Sequence, residues 1–414
     1  MPLSFVLLLC KSSCVRRSSS TRNIGPQENF VTDLIRHVPI EAAEPGFDVP
    51  ALPGMALHEI QTPALLVDLD VLDRNMERMR VAAQGAGVRL RAHAKTHKSA
   101  DIARLQMERG GACGICCQKV SEAEAMVRAG IADILVANEV RDPAKLDRLA
   151  RLAGCARIIV CVDDPAAVED LSAAAQKAGT RIEVLVEIDC GAGRCGIAPG
   201  EPARDLALAV SCAPGLQFAG IQAYHGGAQH LATELERRDA IASAETLTRK
   251  TVELIAAEGL SCNIVGGAGT GTYPLEAASG VWNELQCGSY IFMDADYRRA
   301  LGPLANAGFE HALFVLSSVM SRAPGRAVAD AGLKCFSVDS GLPVVHDLDG
   351  VICTGLSDEH CQLDDPQGRL AINQRLQLIP GHCDPTCNLY DWYVGIRDGK
   401  VETLWPVTAR GKVF

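Results

Sequence analysis

The feature that most constrains the fold is a regular alternation of strand-like and helix-like segments through the middle of the chain. Eight apolar runs of strand length lie at residues 88–93, 114–118, 133–137, 157–162, 181–188, 217–223, 262–266 and 287–293. Helical patterns fill most of the gaps, at 99–109, 120–129, 143–153, 165–178, 202–210 and 233–258. Eight strands joined by helical crossovers predict an α/β protein built on a TIM (β/α)8 barrel. A doubly wound open sheet is the alternative, and it is disfavoured because no Gly-x-Gly-x-x-Gly motif follows the first strand.

The pattern changes on both sides of the predicted barrel. Residues 57–304 would form the barrel, and residues 305–414 are typical of a smaller, mostly-β C-terminal domain. That domain ends in a predicted hairpin with Asp398-Gly399 at its turn. An additional strand near 64–69 precedes the eight and could join the second domain. Residues 1–56 form a leader and an irregular, proline-rich lead-in.

The first 22 residues differ in composition from the rest of the chain. An apolar run at 5–10 precedes a basic, serine-rich stretch at 16–22, and no acidic residue occurs before Glu28. A transit peptide and an uncleaved tail fit this composition equally well. The predicted location is therefore cytoplasmic or organellar, in a mitochondrion or a plastid.

Composition excludes several classes of protein. The formal charge of −10 argues against a nucleic-acid partner, because phosphate contacts need a basic surface. No apolar run approaches the ~20 residues that a membrane span needs. The 17 cysteines are scattered without regular spacing, so we expect mostly free thiols in a reducing compartment rather than a disulfide framework.

In a TIM barrel the active site lies where strands end and the following loops begin. The first barrel strand ends at Lys95, within a cluster that also holds His93, His97 and Lys98. A lysine in this place could form a covalent bond with a carbonyl compound. The alternative is a basic strand end rimmed by solvated lysines. Later strand ends offer Arg194 and Tyr224 as further candidates.

A glycine-rich loop follows the seventh predicted strand. The run Gly266–Thr272 holds four glycines and two threonines in seven residues. Glycine lets backbone N–H groups surround an anion, and threonine hydroxyls add donors. Barrel proteins often bind phosphate with the loops after strands seven and eight. We therefore predict a phosphate site here, and a phosphate opposite a strand-end lysine suggests pyridoxal 5′-phosphate (PLP).

A third candidate site lies near the C-terminus, in the segment Pro380–Asn388. If this segment is extended, residues two apart point to the same side. His382 and Asp384 could then converge on one ion, with Cys383 facing away. Imidazole plus carboxylate favours Mn²⁺ or a similar divalent ion over a thiolate site. A polar turn before the hairpin is the alternative.

Taken together, these motifs resemble the fold-type III PLP enzymes, the alanine-racemase-like barrels. Within that group they resemble the D-threonine aldolase and D-serine dehydratase family. The matching motifs run from about residue 62 to residue 411, and they are Arg91–Lys98, Gln118–Glu124, Asp189–Gly196, Gly266–Tyr273, Gly288–Tyr290 and the His382 segment.

The resemblance implies a role for each candidate residue. Lys95, rather than Lys98, would carry PLP as a Schiff base. The implied cofactor-binding residues are Lys95, Arg194, Tyr224, Gly267, Gly269, Thr270, Gly271, Thr272, Gly288, Ser289 and Tyr290. His382 and Asp384 would hold a divalent metal, with Mn²⁺ favoured over Mg²⁺, Co²⁺ or Zn²⁺. Water linked to His382 would act as a base. A homodimer is also implied.

The position two residues after His382 separates two reactions in this family. Dehydratases carry His-x-Cys, whereas D-threonine aldolases carry His-x-Asp, as this chain does at Asp384. The resemblance therefore implies retro-aldol cleavage of D-threonine and other D-3-hydroxy-amino acids. A D-serine or D-3-hydroxyaspartate dehydratase is the alternative. A non-enzymatic PLP-binding protein is disfavoured, because such proteins are usually a barrel alone.

Overall fold

The computed structural model describes residues 40–301 and 308–414. The N-terminal part contains, in chain order, β1 (Ala64–Asp68), α1 (Leu69–Gly85), β2 (Arg89–His93), α2 (Ala100–Glu108), β3 (Ala112–Cys117), α3 (Val120–Arg128), β4 (Asp133–Glu139), α4 (Pro143–Leu152), β5 (Arg157–Val162), α5 (Pro165–Ala178), β6 (Ile182–Glu187), α6 (Glu201–Cys212), β7 (Leu216–Ala223), α7 (Glu234–Ala257), β8 (Ile264–Gly267), α8 (Tyr273–Ala278), β9 (Glu284–Leu285) and α9 (Ala295–Leu301). Strands β2 to β9 close into a parallel barrel, which confirms the predicted fold class.

The barrel forms because its strands are apolar on both faces. One set of side chains fills the barrel interior, and it includes Cys116, Leu135, Ile159, Leu185 and Ile264. The neighbouring residues along each strand pack outwards, where the apolar faces of the helices cover them. The carboxyl ends of these strands therefore meet at one end of a solid core, and polar side chains can gather there.

The C-terminal part is a sheet domain that includes a strand from the start of the chain. It contains β10 (Leu313–Ala323), β11 (Gly325–Ala329), β12 (Val344–Val345), β13 (Ile352–Leu356), β14 (Cys361–Asp365), β15 (Arg375–Ile379), α10 (Cys383–Cys387), β16 (Trp392–Arg397) and β17 (Lys400–Pro406). Strand β1 lies in this nine-stranded sheet, antiparallel to β10 and parallel to β16. The domain boundaries at 57–304 and 305–414 stay a prediction.

Three local predictions are wrong. The run 287–293 is not the eighth strand: it contains a 3-10 helix at Ser289–Ile291, and the eighth strand is the two-residue β9 before it. Residues 335–339, whose apolar pattern also predicts a strand, contain none: Cys335 and Asp339 lie in turns, and residues 336–338 have no regular structure. The segment after His382 is not extended, because α10 begins at Cys383.

The predicted leader at 1–22 lies outside the described residues. Residues 40–56 belong to the described part and contain a short 3-10 helix at Ile40–Ala42. None of the helices within residues 40–301 and 308–414 combines the length and apolarity needed to cross a bilayer.

Candidate active site

A cavity of about 320 Å³ opens at the carboxyl ends of the barrel strands. It is lined by His93, Lys95, Gln118, Ala137, Arg194, Gln222, Tyr224, Ala268, Gly269, Thr270, Gln286, Gly288, Ser289 and Tyr297. Seven of the predicted site residues are in this set. The strands bring them together from positions almost two hundred residues apart, as the barrel topology predicts.

Lys95 follows β2 directly and reaches into the cavity. Its ammonium donates a hydrogen bond to Asp384 Oδ2, and α10 of the sheet domain carries that carboxylate. Burial disfavours the charged amine, but the Asp384 carboxylate outweighs this effect and raises the pKa of Lys95 above its usual value. Burial raises the pKa of the Asp384 carboxyl group, whose side chain is 12% exposed, but Lys95 outweighs this effect and holds the pKa below the usual range.

The second lysine of the motif has a different environment. Lys98 is buried and its ammonium donates to Glu122 Oε1 at the start of α3. It is not among the cavity-lining residues of the described chain. The geometry therefore separates the two lysines that the sequence places three residues apart, and Lys95 is the one with access to a ligand.

The two histidines beside Lys95 are buried and neutral. His93 lines the cavity and its Nε2 lies 2.9 Å from the Gln118 side-chain amide. Burial and the nearby Lys95 lower the pKa of His93 to about 3. His97 lies behind the cavity, 3.1 Å from Gln106 Oε1, and burial lowers its pKa to about 4. Neither imidazole brings a charge to the site at neutral pH.

Two loops form one end of the cavity, and both were predicted to bind phosphate. Gly269 and Thr270 come from the loop after β8, and Gly288 and Ser289 follow β9. The N–H of Tyr290 donates to Thr270 Oγ1 at 3.0 Å, which joins the loops. A Cβ at Gly288 would lie 2.5 Å from Thr96 Oγ1, so no side chain fits there and the backbone itself faces the cavity.

The other predicted phosphate residues lie behind these loops and outside the cavity lining. Gly271 N–H donates to Gln229 Oε1 at 2.9 Å, and Thr272 Oγ1 donates to Glu276 Oε1 at 2.7 Å. Gly267 ends β8. The phenol of Tyr290 accepts from Gln106 Nε2 at 3.0 Å. These contacts fix the loops, and direct cofactor binding by these four residues stays a prediction.

Arg194 and Tyr224 form a second side of the cavity. The Arg194 guanidinium carbon lies 5.7 Å from the centroid of the Tyr224 ring. The loop that carries Arg194 is shaped by Asp189, whose Oδ1 accepts the N–H groups of Gly191 and Gly193 at 3.0 Å each. Both glycines have positive φ, which only glycine adopts without strain.

His382 and Asp384 lie on the sheet-domain side of the site. His382 has extended backbone and precedes α10, whereas Asp384 lies in the first turn of that helix. His382 Nδ1 lies 2.7 Å from Asp339 Oδ2. Within the described residues, no group of three or more His, Cys, Asp or Glu could hold a metal. His382 and Asp384 could supply at most two protein ligands, with water or substrate as the others.

Sequence reasoning did not single out Gln286 and Tyr297 as site residues. Gln286 and Gln222 exchange two amide hydrogen bonds of 2.7 and 2.8 Å across the barrel. Tyr297 is a buried residue of α9, a helix that the periodicity did not predict. Gln222 lies inside the apolar strand β7, where a polar residue is unusual, whereas Gln286 follows β9 and offered no such signal.

The residues present fit PLP. One cavity is lined by a lysine amine, a glycine-rich loop, an aromatic side chain and a guanidinium. The amine can bind the cofactor's aldehyde, the loop its phosphate, and the other two groups its ring. PLP is also what the alanine-racemase-like fold implies. The support for a metal site is weaker, since His382 and Asp384 are the only two ligands predicted for it.

Comparisons with known proteins agree with this architecture. Residues 67–296 match the family model for the alanine racemase N-terminal domain, and residues 312–396 match the putative serine dehydratase domain. The chain is 55% identical over 377 residues to a 3-hydroxy-D-aspartate aldolase of Paracoccus denitrificans (strain Pd 1222), covering 90% of this chain and 97% of that protein. It is 45% identical over 367 residues to a D-threonine aldolase of Arthrobacter sp, covering 87% and 96%.

A solved structure gives the same result. The crystal structure of D-threonine aldolase from Filomicrobium marinum matches with a TM-score of 0.86 and 48% identity, covering 88% of this chain and all of that chain (100%). These findings confirm the resemblance noted from the motifs. The chain belongs to the alanine-racemase-like enzymes with a serine-dehydratase domain, the family that includes D-threonine aldolase and 3-hydroxy-D-aspartate aldolase.

Proposed function

We propose that this protein is a PLP-dependent, divalent-metal-dependent aldolase that cleaves D-3-hydroxy-amino acids to glycine and an aldehyde. The observation that carries the proposal is the contact between Lys95 and Asp384. It supports the proposal because it joins the candidate cofactor lysine, which lines the cavity, to a candidate metal carboxylate. A substrate amine near Lys95 would then have its β-hydroxyl within reach of the His382–Asp384 side.

The chemistry needs both groups. PLP, when bound, takes up the electron pair that the breaking Cα–Cβ bond leaves behind. A divalent ion, when bound, makes a nearby hydroxyl more acidic. Lys95 Nζ would hold the cofactor, and its ammonium must first lose a proton that the Asp384 carboxylate stabilises. The Gly269–Thr270 and Gly288–Ser289 backbone would bind the phosphate, and Arg194 and Tyr224 would orient the ring.

The substrate within this class is the finer part of the proposal. D-Threonine would give glycine and acetaldehyde, and 3-hydroxy-D-aspartate would give glycine and glyoxylate. Relatives that carry each name are similar to this chain, at 45% and 55% identity. We therefore propose that both are cleaved, and that Mn²⁺ is the preferred ion. The predicted homodimer belongs to the same proposal.

The test is product analysis with purified protein, PLP and Mn²⁺. D-Threonine should give acetaldehyde and glycine in equal amounts, and a chelator should abolish the activity until Mn²⁺ is restored. Lys95→Ala should lose the visible absorption band of the bound cofactor and almost all activity. Lys177→Ala, which alters an exposed lysine on α5, is the matched control. Formation of 2-oxobutanoate and ammonia would instead identify a dehydratase.

A further inference from the structure

Two carboxyl groups meet under Arg194, at the edge of the cavity. Glu187 is the last residue of β6, and its side chain is 5% exposed. Glu139 is the last residue of β4, where it lies beside Cys161 of the intervening strand β5. Glu139 lies close enough to Glu187 to raise the pKa of its carboxyl group. The barrel therefore brings two acids together at the ends of alternate strands.

One oxygen of these two acids lacks a polar partner. Glu139 Oε1 is buried and has no hydrogen-bond donor among the described residues. Two neighbouring buried carboxylates would repel each other strongly. Burial, and then the neighbouring Glu139, raise the pKa of Glu187 above its usual value. The Arg194 guanidinium acts in the opposite direction and favours the carboxylate form of Glu187.

The thiols around the pair do not add charge. Cys161 contacts Glu187, and burial raises the pKa of its thiol far above the usual value. Cys195 contacts Glu139, and burial together with that carboxyl group raises its pKa to about 11. Both sulfurs are therefore protonated. In the part of the chain that the structure describes, this cluster does not qualify as a metal site either.

Arg194 is the cation that faces the pair. Its Nη2 lies 3.8 Å from Glu187 Oε1, and the same guanidinium lies against the Tyr224 ring. The Arg194 side chain is 56% exposed, so the loop alone would leave it free to turn towards solvent. An ordinary exposed ion pair would hold it weakly. Here one partner is buried and fixed at a strand end, which gives the guanidinium a defined position.

We propose that Glu187, with Glu139 beside it, positions Arg194 against Tyr224 at the side of the cavity where the cofactor ring would lie. The inference rests on the proposed PLP site. Both acids act through Arg194, so they are positioning residues rather than catalytic ones. Glu187 is the stronger contributor, because it is the member that contacts the guanidinium.

The first experiment is a double-mutant cycle in PLP affinity, measured from the absorption band of the bound cofactor. E139Q/E187Q should weaken PLP binding by about 10-fold, the loss expected for one charge-assisted contact of a half-exposed group. E187Q alone should weaken PLP binding more than E139Q alone. In the R194Q background, E139Q/E187Q should cause no further loss. The control is E183Q, which alters the same strand at its other end.

The proposal is overturned if E139Q/E187Q weakens PLP binding by the same factor with and without Arg194, or if it behaves like E183Q. Such a result leaves the proposed function intact, because the wild-type protein still binds PLP. Failure of wild-type protein to bind PLP would instead reject the proposed function.

A second readout needs no cofactor. Arg194 should react faster with phenylglyoxal in E139Q/E187Q than in the wild type, measured by mass spectrometry of its peptide, because the carboxylate no longer holds the guanidinium. An unchanged rate at Arg194, in a variant that melts like E183Q, would also overturn the proposal.

Discussion

At the scale of single residues, the contact between Asp339 and His382 determines which ring nitrogen can bind a ligand. With Nδ1 directed at the Asp339 carboxylate, Nε2 is the nitrogen that the proposed metal could bind. The Ser337 hydroxyl donates to Asp339 Oδ1 at 2.7 Å, so the carboxylate is itself oriented. Asp339 therefore has the geometry of an outer-shell partner that fixes a histidine ligand.

Replacing Asp339 should consequently weaken metal binding. We expect Asp339→Ala to weaken Mn²⁺ affinity by about 10–100-fold, the usual cost of losing an outer-shell partner of a ligating histidine. Asp339→Asn should weaken Mn²⁺ affinity less, because the amide oxygen still accepts a hydrogen bond from His382. Isothermal titration calorimetry with Mn²⁺ measures both. Asp349→Asn, at an exposed position of the same domain, is the control, and equal affinities for the control and Asp339→Ala would contradict the assignment.

At the scale of elements, Asp294 joins two short helices across the domain boundary. Its Oδ1 accepts the N–H of Tyr297 in α9 at 2.9 Å, and its Oδ2 accepts the N–H of Cys383, the first residue of α10, at 2.8 Å. Asp294 is fully buried. The position of Asp384, in the first turn of α10, therefore depends on a side chain from the barrel end of the chain.

Removing this carboxylate should affect both stability and the site. Asp294→Ala leaves two buried N–H groups without an acceptor, so we expect a loss of about 2–4 kcal/mol in the free energy of unfolding. Mn²⁺ affinity should fall as well, since α10 carries Asp384. Asp294→Asn keeps one acceptor oxygen and should lose roughly half as much stability. Urea unfolding measures the effect, and an unfolding midpoint equal to that of the wild type would contradict this role.

The strands and helices of the barrel follow from periodicity, but two elements at the site do not. The run 287–293 is apolar because Tyr290, Ile291 and Phe292 are buried, and periodicity cannot separate a buried helical turn from a buried strand. The true strand β9 contains Glu284, a charged residue that makes a strand hard to recognise. At α10, Pro385 was compatible with a helix, since proline is tolerated in a first turn.

The candidate site could be predicted where it depends on strand ends, and not where it depends on side-chain direction. Lys95, Arg194 and Tyr224 follow strands, so counting strands is enough to place them together. By contrast, the contact between Glu187 and Arg194 depends on which way two side chains turn. The sequence therefore predicts the location of the cavity better than the network that orders it.

At the scale of the whole molecule, the site belongs to both domains. Lys95, which lines the cavity, comes from the barrel, and it donates a hydrogen bond to Asp384 of the sheet domain. Strand β1 strengthens this arrangement, because it lies in the sheet while the helix that follows it packs on the barrel. A change that destabilises the barrel should therefore also alter the geometry of the cavity.

Barrel closure depends on a buried ion pair between the first and last barrel strands. Arg91 of β2 donates from Nε to Glu284 Oε1 of β9 at 2.8 Å, and both side chains are 1% exposed. Arg91 also contacts Asp133 of β4. The two strands that close the barrel share few backbone bonds, because β9 is only two residues long. The side chains consequently contribute much of the stability of the junction between these two strands.

We expect Arg91→Met to lower the free energy of unfolding by about 3 kcal/mol, the lower end of the cost of leaving a buried charge without its partner. The lower end applies because Arg89 still lies 3.3 Å from Glu284. Arg91→Met/Glu284→Gln should recover part of the loss, since no buried carboxylate remains unpaired. Arg80→Met breaks an exposed pair with Glu77 and should cost less than about 1 kcal/mol. Urea unfolding of the four proteins decides the matter: equal losses for Arg91→Met and Arg80→Met would show that this ion pair does not hold the barrel closed.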